Sequence, residues 1–129
     1  MVEEARHPRI LVVDDDAPVR TLVRRILVPR LFDLLEAESL DAALALVSNG
    51  APPVDLLLTD VVMPRGTGPA LAVRLHEKWP GLPVLYMSGY PRDTLAKHGL
   101  TAEDAFLLKP FTPQTLREGI ARLLGHGAA

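Results

Sequence analysis

The sequence predicts an α/β fold, a parallel sheet covered by helices on both faces. Three features predict it. Short apolar runs of strand length alternate with segments of helical period. Most of the runs are apolar at successive positions, as strands buried on both faces of a parallel sheet should be. And the residues with reactive or ligating side chains stand where those runs end.

Each element has its own reason. Ile10-Leu11-Val12-Val13 is short, β-branched and apolar on both faces. Val19, Leu22, Val23, Ile26 and Leu27 fall at i, i+3, i+4, i+7 and i+8, one face of an amphipathic helix. Pro18 suits its first turn and Asp16 its N-cap. Phe32 to Ala37 reads as a second strand, and Asp41 to Val47 as a short Ala/Leu helix ended by Asn49-Gly50. Val54 to Thr59 is a third strand. Leu71, Ala72, Leu75 and Trp79 mark a helix from about Gly68 to Trp79, stopped by Pro80-Gly81. Pro83 to Met87 is a fourth strand and Ala105 to Leu108 a fifth. Leu116, Ile120, Leu123 and Leu124 give a last helix from about Pro113 that ends before Gly125. Between the fourth and fifth strands Leu95, Ala96 and Leu100 have poor periodicity and Gly99 interrupts them. A short or irregular helix is expected there.

Composition bounds the function. A chain of 129 residues suits a single hydrophobic core, and 48% apolar with 23% charged residues is ordinary for a soluble domain. A net charge of −2 gives no global pull toward nucleic acid or a membrane surface. The absence of cysteine excludes disulfides and thiolate metal sites and fits a reducing compartment. The opening MVEEARHPR lacks the apolar stretch of a signal peptide, and no run nears the roughly 20 residues that span a bilayer. A cytoplasmic location is expected. So is one domain over 8–124, between a flexible N-terminal segment 1–7 and a C-terminal tail 125–129. Only Gly125 to Ala129 follow the last helix, so no DNA-binding element is expected.

In such sheets ligands bind outside the carboxyl ends of the strands. There the first strand ends in Asp14-Asp15-Asp16, the third in Asp60, the fourth in Ser88-Gly89 and the fifth in Lys109-Pro110. Two carboxylates about 4 Å apart repel by roughly 4 kcal/mol at an effective dielectric near 20. Three together tolerate full ionisation only beside a cation. Hard oxygen donors without His or Cys select Mg²⁺ or Mn²⁺ over zinc, and Mg²⁺ often completes its octahedron with phosphate oxygens. Carboxylate nucleophile, metal, hydroxyl and lysine together indicate phosphoryl transfer onto an aspartate.

ILVVDDDAPVR, LLLTDVVMPRGTG, LYMSGY and FLLKPFTP resemble, in order and spacing, the signature blocks of the receiver domain of two-component response regulators. The resemblance runs from about Pro8 to Leu124. It implies a doubly wound five-stranded, flavodoxin-like sheet of order 2-1-3-4-5. Carried over residue by residue, it makes Asp60 the phospho-acceptor. Asp14 and Asp15 become the acidic pair that holds the metal with Asp60 and the backbone carbonyl of Val62. Ser88 takes the switch hydroxyl position, Lys109 the phosphate-pairing lysine and Phe106 the rotating aromatic. The Lys109-Pro110 bond is typically cis in the family. No organic cofactor is implied, only Mg²⁺ or Mn²⁺. The implied partner is a histidine kinase or histidine phosphotransfer protein, with no nucleic acid or membrane, and the chain itself a monomer or weak dimer.

The bland alternatives are Asp as helix cap, Lys109 as a solvated side chain, Ser88 as a turn hydroxyl and Phe106 as plain core. Three aspartates in a row exceed what one cap needs, and Asp16 is left to that role. Thr67-Gly68-Pro69 lacks the Gly-Lys-Ser/Thr of a phosphate loop and reads as a helix start. His7, His76, His98 and His126 have no ligand spacing and are expected on the surface.

Some positions depart from many family members. Val62 and Tyr90 occupy the two positions that govern water access to the phosphoaspartate, where polar side chains could position a hydrolytic water. Val62 is aliphatic and Tyr90 a large aromatic, so neither can act as a base or orient water well, and slow dephosphorylation is expected. The sequence around the weak helix most resembles receivers of hybrid histidine kinases. Arg20, Arg24 and Arg25, beside the site, suit docking of a partner helix. Two other classes compete. A degenerate receiver would lack part of the Asp14, Asp15, Asp60, Ser88 and Lys109 set. A haloacid-dehalogenase-like phosphatase would place its nucleophile after the first strand. The leading expectation is a signalling domain with no separate substrate, not an enzyme.

Overall fold

A computed structural model describes residues 7–48 and 50–125. The segment 1–6, Asn49, His126 and the tail beyond Gly125 lie outside the described residues, and with them the expectations placed there. The main sheet has strands β1 (Arg9–Val13), β2 (Asp33–Ala37), β3 (Leu56–Asp60), β4 (Val84–Ser88) and β5 (Ala105–Leu108). Helices α1 (Ala17–Leu27), α2 (Leu40–Leu46), α3 (Gly68–Lys78) and α4 (Pro113–Leu124) flank it. All strand pairs are parallel, in the order β2-β1-β3-β4-β5. The doubly wound topology with reversal beside β1 is therefore as expected.

Alternation along the strands divides the core into two layers. Leu11, Val13, Leu57 and Tyr86 face Ala43 of α2 and Leu71 and Leu75 of α3. Ile10, Val12, Leu58 and Met87 face Val23 and Leu27 of α1 and Leu116 and Ile120 of α4. β1 and β3 are buried along nearly their whole length, as their unbroken apolar runs require.

Boundaries differ in instructive ways. β3 begins at Leu56 and includes Asp60, which pairs in register with Met87 of β4. The carboxylate thus projects from the last rung of a buried strand, not from the loop beyond it. α2 starts one residue early because Ser39 caps it, its Oγ accepting the Ala42 amide at 3.1 Å. Asp16 stands at the N-cap of α1, but its side chain makes no cap bond. Its carbonyl accepts from the Val19 and Arg20 amides instead. His76 is half-buried rather than exposed, with Nε2 2.8 Å from the Leu82 carbonyl oxygen.

The weak region between β4 and β5 forms a 3-10 segment, Arg92–His98, ending at Gly99 with φ 99°. Leu95 and Leu100 are its buried anchors. Arg92 fastens the following loop by donating from Nη1 to the carbonyls of Thr101 (3.0 Å) and Asp104 (2.7 Å). Two buried leucines suffice to pin such a segment but not to define a regular amphipathic helix. Past β3, a two-residue antiparallel ribbon pairs Val62 with Thr67 and Met63 with Gly66.

Candidate functional site

The site lies at the carboxyl edge of β1, β3 and β5. β1 delivers Asp14, which is fully buried, and Asp15, which is exposed. β3 delivers Asp60, only 8% exposed. One carboxylate oxygen from each of Asp14, Asp15 and Asp60 lies within 4.8 Å of the others. Lys109, just past β5, places Nζ 2.7 Å from Asp14 Oδ2 and 3.4 Å from Asp60 Oδ2. Its position is held from behind by the Lys109 amide, which donates to the Ser88 carbonyl at 2.8 Å. The Lys109-Pro110 bond is cis.

The electrostatics follow from this crowding. Burial raises the Asp60 carboxyl from its ordinary 3.8 to about 6, the Asp14 charge pushes the same way, and Lys109 offsets only part. Lys109 stands nearer Asp14 than Asp60. For Lys109 itself, burial pulls the ammonium down, but the two carboxylates outweigh it and leave the pKa above its usual value. The cluster therefore holds more negative charge than one lysine balances. A divalent cation is the natural complement, and the all-oxygen donor set suits a hard one.

The other expected site residues lie around this centre. Ser88 is buried at the end of β4, with its Oγ accepting the Tyr90 amide at 3.0 Å. Tyr90 is 61% exposed at the rim. Val62 leaves β3 two residues after Asp60 and is half-buried in the ribbon. Phe106 lies one strand from Ser88, half-buried in register with Tyr86, and is not part of the acidic cluster. The Arg92 guanidinium lies over its ring, 5.2 Å from the centroid.

Read from sequence alone, Gly68 has no role beyond starting a helix. Its amide donates to the Val61 carbonyl at 2.8 Å, and a Cβ here would come within 2.4 Å of the Asp60 carbonyl oxygen. Only glycine lets the first turn of α3 lie against the backbone of Asp60. A glycine in the turn after an aspartate was the available signal. The arginines of α1 also differ from a free basic face. Arg24 makes two bonds to Glu36, at 2.7 and 2.8 Å, and Arg20 turns inward to the Asp14 carbonyl. Arg25 alone of the three has no such partner among the described residues.

A doubly wound sheet with an acidic cluster and a lysine at its switch-point edge is the frame of a receiver-like domain. Comparison with known proteins agrees: residues 10–121 match the response regulator receiver domain family, and the chain belongs to that family. It is 33% identical over 116 residues to sensor kinase CckA of Brucella abortus, covering 89% of this chain and 12% of the kinase. It is 34% identical over 119 residues to chemotaxis protein CheY of Pseudomonas aeruginosa, covering 89% of this chain and 94% of that protein. The crystal structure of the receiver domain from hybrid histidine kinase CckA superposes with a TM-score of 0.75 at 34% identity, covering 90% and 98% of the two chains. The similarity to receivers of hybrid kinases is thus found in sequence and in structure. The chain spans between 12% and 49% of the length of the first curated relatives it matches. Among the described residues no helix is long and apolar enough to cross a membrane.

Proposed function

We propose that this domain accepts a phosphoryl group on Asp60 from a histidine kinase or a histidine phosphotransfer protein and relays or reports it in a two-component pathway. The observation that carries this reading is the single ammonium of Lys109 spanning Asp14 and Asp60 beside a third carboxylate. An Asp60 oxygen attacks phosphorus, the new P–O bond forms, and the P–N bond to the donor imidazole breaks with its electron pair returning to nitrogen. Asp14, Asp15, Asp60 and the Val62 carbonyl would hold Mg²⁺ (or Mn²⁺), which would supply charge neutralisation for the transferring group. Lys109, already beside the acceptor oxygen, pairs with one phosphoryl oxygen.

Ser88 supplies a hydroxyl to another. Its Oγ accepts from Tyr90, which leaves the hydroxyl proton free to donate. Phe106, on the neighbouring strand, follows the movement of Ser88 and carries the change to the surface. Val62 is aliphatic and Tyr90 is a large aromatic, neither of which acts as a base or orients water well, so the phosphoryl group persists. The domain turns over no separate substrate, acts in the cytoplasm as a monomer or weak dimer, and needs neither nucleic acid nor membrane.

Titration with beryllofluoride and Mg²⁺, followed by amide NMR, tests the site. Saturable shifts at Asp60, Ser88 and Lys109 that require Mg²⁺ are expected. Unchanged spectra at saturating beryllofluoride would mean a degenerate receiver that binds its partner constitutively.

A further inference from the structure

We infer that Arg20 is a positioning residue for the acidic cluster, aiming Asp15 by holding the backbone carbonyl of Asp14. The inference rests on the phosphoryl-transfer reading for its purpose, though not for its geometry.

Asp14 is fully buried, and each of its polar atoms has a designated partner. The amide donates to the Ala37 carbonyl at 3.1 Å. Oδ1 accepts the Asp16 amide at 2.9 Å and Oδ2 the Lys109 ammonium at 2.7 Å. That leaves the carbonyl oxygen, at the turn where β1 has ended and α1 has not begun. Arg20 Nη1 reaches back six positions to donate to it at 2.6 Å. A charged donor on a part-buried carbonyl makes a strong bond, and losing it leaves that oxygen without its partner.

The carbonyl of Asp14 and the amide of Asp15 belong to one rigid peptide plane. Fixing the oxygen fixes the direction in which the chain sets off toward Asp15. Asp15 is exposed, and among the described residues its carboxylate has no hydrogen bond of its own to hold it near Asp14 and Asp60. Arg20 is in turn oriented from its far side. Its Nε lies 3.8 Å from Glu36 Oε1, and Glu36 is clamped by the two bonds from Arg24. Glu36 sits on β2 in register with Val12 of β1. The sheet thereby anchors the guanidinium that anchors the turn. Residues that orient metal ligands from outside the coordination shell typically change metal affinity by about 10- to 100-fold when altered.

The test compares Arg20→Gln, Arg20→Lys and Arg25→Gln with the parent. Arg25→Gln removes the same charge from the same helix without touching the Asp14 turn. Mn²⁺ affinity is read from the electron paramagnetic resonance of free Mn²⁺. The Asp15 and Asp16 amide shifts are read without metal. Arg20→Gln is expected to weaken Mn²⁺ binding by about 10-fold or more and to move both amide resonances, with Arg25→Gln within about twofold of the parent. Arg20→Lys keeps the charge but cannot face the carbonyl and Glu36 together, and should fall between. It also decides the matter if Arg20→Gln fails to fold. Equal small effects of Arg20→Gln and Arg25→Gln would overturn the inference, as would parent-like Mn²⁺ affinity and unmoved amides in Arg20→Lys. A parent that binds Mn²⁺ yet never accepts phosphate would overturn the proposed function and leave this inference standing. If the parent binds no Mn²⁺, the metal-free amide shifts decide it.

Discussion

Lys109 Nζ lies 2.7 Å from Asp14 Oδ2 across 95 positions of sequence, joining the ends of the first and last strands of the sheet. Asp14 is fully buried and Lys109 only 20% exposed, so each ion depends on the other in the metal-free domain. Lys109→Met leaves the Asp14 carboxylate without its cation. The expected cost is about 2 to 4 kcal/mol in metal-free urea unfolding, partly recovered by millimolar Mg²⁺. Loss without any recovery would mean that the carboxylates do not share a cation site.

Asp60 sets a pH dependence of definite sign. Burial and the Asp14 charge raise its pKa from 3.8 to about 6 in the folded protein. A raised carboxyl binds its proton more tightly folded than unfolded. Its contribution to stability is therefore fully present below about 4 and is lost as pH rises through about 6. With allowance for solvent screening, the loss is about 1 to 2 kcal/mol. Asp60→Asn should flatten that fall and melt higher than the parent at pH 7.5 without metal. Thermal melts of both proteins from pH 4 to 8 measure it.

Gly68 should resist replacement. In Gly68→Ala the new methyl meets the Asp60 carbonyl oxygen, which belongs to a rigid strand and cannot move aside cheaply. A loss of about 1 to 3 kcal/mol is expected. Because the strain falls on the backbone of Asp60, phosphorylation by acetyl phosphate should also slow. Gly81→Ala, where a Cβ meets nothing within 4 Å, is the matched control.

Phosphoryl lifetime is expected to depend on the rim. Val62→Asn and Tyr90→Glu each introduce a group that can orient water, and each should speed phosphate loss by about 10-fold or more. Decay of the phosphorylated protein after removal of excess donor gives the rates. No acceleration in either variant would assign the lifetime to other residues.

Much of this was legible in the sequence. Apolar runs at β1, β3 and β4 announced a parallel sheet whose edge strands β2 and β5 are only partly buried, and the carboxyl ends of the runs carry Asp14, Asp15, Asp60 and Lys109. Proteins of this architecture concentrate chemistry at strand ends, so position along the chain converts directly into position in space. Interactions that depend on three-dimensional approach were not legible. Gly68 looks like any helix-start glycine until the Asp60 carbonyl is found against it. Arg20 and Arg24 look like a solvated basic face until Glu36 and the Asp14 carbonyl are found to hold them. Asp16 had the right identity for a cap, but its side chain is unused because Asp14 Oδ1 organises the turn. Between β4 and β5, weak periodicity correctly foretold irregular structure, yet gave no hint that Arg92 would tie the loop to Phe106.

The most direct measurement is intact-protein and peptide mass spectrometry after incubation with acetyl phosphate, with and without Mg²⁺, on the parent and on Asp60→Asn. One phosphoryl group, dependent on Mg²⁺, located at Asp60 and absent from the variant, is the predicted result. An equal phosphoryl load on Asp60→Asn, or none on the folded parent in the presence of Mg²⁺, would contradict the account.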